Sequence, residues 1–121
     1  MRVAVTGAGG RLGRALMTAL ADAPFTGIAG PIGWSRPTYD LDDAAAAAGL
    51  IARDRPEVVV HAAAWTDVDG AALDPLSADR RNAAATDSLA TACAASGVDM
   101  IVISTNEIFD GERTDQLGYR V

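Results

Sequence analysis

The chain has 121 residues and a net charge of −6; half of it is hydrophobic, yet aromatics make up only 5%. A chain this long buries roughly two-thirds of its unfolded surface, so one domain with a real core is expected. The acidic balance and the lack of any basic run exclude non-specific binding to nucleic acid or to an anionic membrane surface, and a lone cysteine, Cys93, excludes a disulfide framework and a cysteine-based zinc site.

Val3, Ala4 and Val5 form an apolar, β-branched run that reads as a buried strand. Glycines follow at Gly7, Gly10 and Gly13, with an extra one at Gly9. Leu12, Leu16, Ala19, Leu20 and Ala23 then recur at helical spacing. A strand, a glycine turn and a helix make a phosphate-binding unit. The glycines let the backbone approach a pyrophosphate, and the free N–H groups at the helix start receive its charge. The spacing G-x-x-G-x-x-G departs from the commonest dinucleotide fingerprint.

A second strand is expected between Gly27 and Ser35, paired best at Ile32 to Trp34. The acidic loop Asp40 to Asp43 precedes an alanine-rich helix predicted from about Asp43 to Arg53, ended by Arg55-Pro56. Glu57 to Ala62, centred on Val58-Val59-Val60, reads as a central parallel strand. A long helix is predicted from about Leu76 to Ser96, with Leu76, Ala83, Leu89, Ala90 and Cys93 near one face and Gly97 just past its end. Met100 to Ile103 is the fourth strand.

The order βαβαβαβ gives the first half of a Rossmann-type doubly wound parallel sheet, without the C-terminal strands and the substrate-binding part. Residues 1–121 are expected to be the N-terminal portion of an NAD(P)-binding domain. An open edge at the fourth strand is costly, and a homodimer would cover it. The N-terminus carries no cleavable apolar segment and no run approaches the roughly 18 residues of a membrane span, so a cytoplasmic setting is expected.

Ligands of such sheets bind outside the carboxyl ends of the strands, here at segments 7–13, 34–40, 62–69 and 104–111. Arg36 follows the second strand about twenty residues beyond the glycine turn, where an arginine favours the 2′-phosphate of NADP and an acid the 2′-hydroxyl of NAD. NADP(H) is thus preferred and NAD(H) is the alternative. A solvated surface arginine is the plainer reading, and Asp40 or Asp42 could still hold a ribose. Ala62, Ala63 and Ala64 offer small side chains where a cofactor would cross the backbone, or simply pack helix on sheet. Trp65 and Thr66 could flank a ligand. His61, the single histidine, reads as structural, because it has no metal or triad partner in the sequence. Ser104, Thr105, Asn106 and Glu107 supply hydroxyls, an amide and a carboxylate, and a hydroxyl there could bond a substrate carbonyl.

These segments resemble the extended short-chain dehydrogenase/reductase superfamily and, within it, the dTDP-4-dehydrorhamnose reductase (RmlD-like) sugar-nucleotide family. The residues that carry the likeness are Val5 to Gly13, Arg55 to Asp69, Asn82-Ala83, and Ile103 to Gly111. The resemblance implies NAD(P)H-dependent reduction of a 4-keto sugar on a nucleoside diphosphate. It places Gly10, Arg11 and Leu12 at the cofactor pyrophosphate, Asp40 and Leu41 by the adenine, and Ala63, Ala64 and Trp65 by the ribose and nicotinamide. Thr105 would assist the catalytic tyrosine and Asn106 would touch the sugar nucleotide. Three departures stand out. Asn106-Glu107 replaces Asp-Tyr, and His61 replaces an asparagine. The Tyr-x-x-x-Lys motif is absent: the tyrosines are Tyr39 and Tyr119, and there is no lysine. That motif is expected to lie beyond Val121. The alternative is a non-catalytic dinucleotide-binding or regulatory protein of the same fold.

Overall fold

A computed structural model of the chain describes residues 1–43, 45–105, 111–115 and 117. Four parallel strands, β1 (Val3–Thr6), β2 (Ile32–Trp34), β3 (Val58–His61) and β4 (Asp99–Val102), form one sheet in the order β2-β1-β3-β4. Val3 pairs with Val58, Ala4 with Ile32, and Val58 with Asp99. Successive side chains of a strand point to opposite faces. Ala4 and Val59 therefore face one layer, with Trp34, Leu50, Ile51, Leu89 and Cys93. Val3, Val5 and Val60 face the other, against Leu16, Met17 and Leu20.

The first layer is built by α2 (Ala46–Asp54) and α5 (Ala85–Ala95), the second by α1 (Arg11–Ala21). Helices thus cover both faces, as the βα alternation requires. Buried Trp34 keeps its indole N–H satisfied by donating to the Asp54 carboxylate at 2.8 Å. None of the helices formed by the described residues is long and apolar enough to cross a membrane.

The strands and α1 fall where the apolar runs put them. The remaining helices differ from the sequence expectation in three ways. α2 begins at Ala46, and its N-cap Ala45 carries no capping side chain; the acidic loop instead closes its own turn through Asp42 N–H on Asp40 Oδ1 at 3.0 Å. A short helix, α3 (Val68–Leu73), precedes the long one. It has no buried residue and starts on Asp67, whose carboxylate accepts from Gly70 N–H, so hydrophobic periodicity gives no sign of it. The predicted long helix is divided into α4 (Pro75–Asp79), a π turn (Arg80–Ala84) and α5. Ala85, Leu89 and Cys93 keep the buried face. Before the π turn and within it the helix face is rotated, and Leu76 and Ala83 point to solvent rather than to the core. On α1, Leu12 and Ala19 are likewise exposed, while Gly13 is buried.

Leu89 is fully buried between α5 and the sheet. Leu89→Ala is expected to destabilise the chain by about 2–5 kcal/mol. Urea denaturation followed by far-ultraviolet circular dichroism measures the loss.

Candidate functional site

From β1 the chain turns to one side to make β2 and then crosses to the other side to make β3. This reversal opens a crevice at the carboxyl ends of β1 and β3, the place where parallel sheets hold ligands. A cleft of about 630 Å³ lies there.

Its floor is backbone. Gly7 sits at φ +65°, and a Cβ on it would come within 2.8 Å of the Ala63 Cα. A Cβ on Gly13 would reach 2.7 Å from the Gly7 carbonyl carbon. Glycine is needed at both positions, because the turn and the segment after β3 touch main chain to main chain. Gly10 N–H donates to the Gly7 carbonyl at 2.8 Å and forms the N-cap of α1. No side chain caps that helix and no acid stands in its first turn, so its positive end is left uncompensated beside the cleft.

A buried hydrogen-bond chain sets this floor. The Thr6 hydroxyl oxygen accepts from Ala62 N–H at 3.2 Å and Ala63 N–H at 3.1 Å. With both lone pairs used, it donates its own proton to His61 Nδ1 at 2.8 Å. His61 Nε2 therefore carries the ring proton and donates to Thr86 Oγ1 at 3.0 Å, which in turn donates to the Asn82 carbonyl at 2.8 Å. His61 is structural and neutral. Burial lowers its pKa, and a second proton would point at an oxygen with no lone pair to spare.

The wall charges come in two kinds. Asp42 receives a two-pronged hydrogen bond from Arg81, with the closest contact at 2.8 Å, and a further one from Arg80 at 3.1 Å. These contacts, Arg81's first, draw its pKa down to about 2. The Arg81 guanidinium also lies over the Trp65 ring, 4.7 Å from its centroid. Arg36 lines the same cleft and has no ion pair or hydrogen bond among the described residues. Tyr39 forms part of the wall too; its hydroxyl is buried without a hydrogen-bond partner among the described residues, and burial pushes its pKa up to about 12.

Ten of the residues expected from the sequence come together here: Gly7, Gly10, Arg36, Asp40, Leu41, Asp42, Ala62, Ala63, Ala64 and Trp65. Arg11, Leu12, Gly13 and Thr105 stand outside the lining, Gly13 because it supports the turn from behind. Asn106 lies outside the described residues. Sequence reasoning missed Tyr39 and Arg81 as wall residues. Arg81 reaches the cleft through contacts with Asp42 and Trp65, which no local spacing reveals.

The family model described as RmlD substrate binding domain matches residues 1–120. The chain belongs to this family. It is 40% identical over 107 residues to a dTDP-4-dehydrorhamnose reductase of Streptomyces griseus, an alignment covering 88% of this chain and 34% of that enzyme. It is 34% identical over 113 residues to methionine adenosyltransferase 2 subunit beta of Rattus norvegicus, again covering 34% of the relative. The crystal structure of dTDP-4-dehydrorhamnose reductase from Bacillus anthracis str. Ames in complex with NADP superposes with a TM-score of 0.82 at 29% identity, over 93% of this chain and 39% of that one. The chain thus spans about a third of the length of these relatives.

The His61 network carries a sign that can be tested. The folded histidine binds its proton less readily than the unfolded one, whose pKa is near 6.5. The stability it contributes is full above that pH and is lost as pH falls below it. Asp42, already at about 2, does not titrate in this window. The urea midpoint is expected to fall between pH 7 and pH 5, and His61→Gln is expected to flatten that slope.

Proposed function

We propose that this chain is the dinucleotide-holding part of a reductase acting on a 4-keto sugar carried by a nucleoside diphosphate, as in dTDP-4-dehydrorhamnose reductase. The observation that carries the reading is the cleft at the strand reversal, where main chain meets main chain at Gly7 and Ala63 and an uncapped helix end adjoins an unpaired arginine. Its volume of about 630 Å³ suits a cofactor site. A side chain in place of Gly7 or Gly13 would close the turn, so the residues present fit a dinucleotide.

In this reading the Gly7-to-Gly13 turn, with Gly10, Arg11 and Leu12 at the first turn of α1, holds the pyrophosphate by main-chain N–H groups and the helix dipole. Arg36 takes the 2′-phosphate of NADP(H), because the other wall arginine is already neutralised by Asp42. Asp40 and Leu41 border the adenine. Ala63, Ala64 and Trp65 border the ribose and the nicotinamide. When bound, the dinucleotide supplies the hydride for C4 of the sugar. Thr105, just past β4, offers a hydroxyl to the substrate carbonyl, and Asn106 an amide to the sugar nucleotide. Tyr39 is not positioned to protonate the carbonyl oxygen, because its hydroxyl is buried. A homodimer through β4 would cover Ile101, Val102 and Ile103, each about half exposed.

A second reading, a non-catalytic dinucleotide-binding subunit, is supported by the likeness to methionine adenosyltransferase 2 subunit beta. Both readings require the cleft to take the dinucleotide; turnover of a nucleotide-linked keto sugar separates them.

Trp34 is fully buried and Trp65 lines the cleft, so NADPH is expected to perturb Trp65 fluorescence and to leave a Trp65→Phe variant unchanged. Arg36→Ala is expected to weaken NADPH by about tenfold, the loss of one charge-assisted contact, while NADH changes little. An equal loss for both would overturn the Arg36 assignment, and a flat titration of folded protein would overturn both readings.

A further inference from the structure

The cleft has two lips that come from different parts of the chain. One is the loop after β2 that holds Asp42; the other is the segment after β3 that ends at Trp65. We infer that the π turn at Arg80–Ala84 clamps these lips together and that Arg81 is the positioning residue that sets the width of the cleft. The inference rests on the dinucleotide reading for its purpose but on its own contacts for its geometry.

Three consecutive residues make the clamp. Arg80 and Arg81 both hold Asp42, the latter through two guanidinium nitrogens on two carboxylate oxygens. Arg81 simultaneously covers one face of the Trp65 ring at 4.7 Å. Asn82 grips the Trp65 main chain at both ends, accepting from its N–H at 2.7 Å and donating to its carbonyl at 3.0 Å. Ring, main chain and opposite lip are therefore fixed from one turn. A regular α-helix advances about 100° per residue and fans neighbouring side chains apart. The wider π turn sets Arg81 on the cleft, with Arg80 on Asp42 and Asn82 on the Trp65 main chain, while Ala85, Leu89 and Cys93 stay in the core. With Asp42 saturated and Arg81 both paired and stacked, neither group is offered to a phosphate. Their work is to hold the walls at the distance a flat, extended ligand needs.

The test combines amide hydrogen exchange with calorimetric NADPH titration on the 121-residue chain and its Arg81→Ala, Arg81→Lys and Asp42→Asn variants. Arg81→Ala and Asp42→Asn are expected to speed exchange in both lips, residues 40–43 and 62–65, with the amides of β1 and β3 still protected, and to weaken NADPH by about tenfold. Arg81→Lys keeps the charge but loses the two-pronged, stacked geometry, so it is expected to restore stability and not affinity. If Arg81→Ala loses protection across the whole sheet, Asp42→Asn carries the comparison. Unchanged exchange in either lip overturns the clamp. So does unchanged NADPH affinity in the variants. Tighter binding by Asp42→Asn would show instead that Arg81 is a phosphate ligand held in reserve. If the wild-type chain takes no NADPH while the lips still loosen in the variants, the dinucleotide reading falls and the clamp stands.

Discussion

Main chain meets main chain where β1 runs out beneath the segment that follows β3, and Gly7 is the residue that permits it. A methyl group there would sit inside van der Waals distance of Ala63, and one on Gly13 would strike the Gly7 carbonyl. The approach is held by the Thr6 hydroxyl, which gathers the N–H groups of Ala62 and Ala63 and hands its proton to His61. His61 continues the chain of hydrogen bonds into α5 through Thr86. One buried sequence of donors and acceptors thus ties the central strand, its neighbour, the cleft floor and a helix of the opposite layer. Such a network is worth having only when every member is satisfied, and each of its donors here has a partner.

The electrostatics of the site run against the charge of the whole molecule. The chain is acidic overall, yet the cleft presents an uncompensated helix end and Arg36, which is unpaired among the described residues, alongside the carboxylate of Asp40. Asp42 does not cancel this, because it is occupied by Arg80 and Arg81. Net charge governs long-range encounter; the residues lining a pocket govern what stays in it.

Much of this could be read from the sequence. The β-branched runs at Val3 and Val58 gave strands packed between the helix layers, the run at Ile101 gave one that pairs with β3 and leaves its side chains half exposed, and the glycine spacing pointed to a turn that side chains could not enter. Hydrophobic periodicity failed where a helix has no buried face, as in α3, and where a π turn rotates the helix face, as at Leu76 before it and Ala83 within it. Leu12 fits the period of α1 but lies at its exposed first turn. The cleft was legible as a meeting of strand ends. Its walls were less so, because Arg81, Asp42 and Trp65 are far apart in sequence and come together only once the sheet and the long helix have formed. His61 was legible as structural from the want of partners; the hydroxyls that flank it were not.

The position of the first strand has a consequence for how the chain comes to be folded. β1 precedes both of its neighbours in the chain but lies inside the sheet, with β2 on one side and β3 on the other. Thr6 and His61 are 55 residues apart, so the hydrogen bonds that close the cleft floor must wait until the chain between them has been made and its entropy of closure overcome. Until then β1 has a single neighbour and an open side. β1 is therefore locked only once β3 has joined it, and the ligand cleft is completed in the same event as the middle of the sheet.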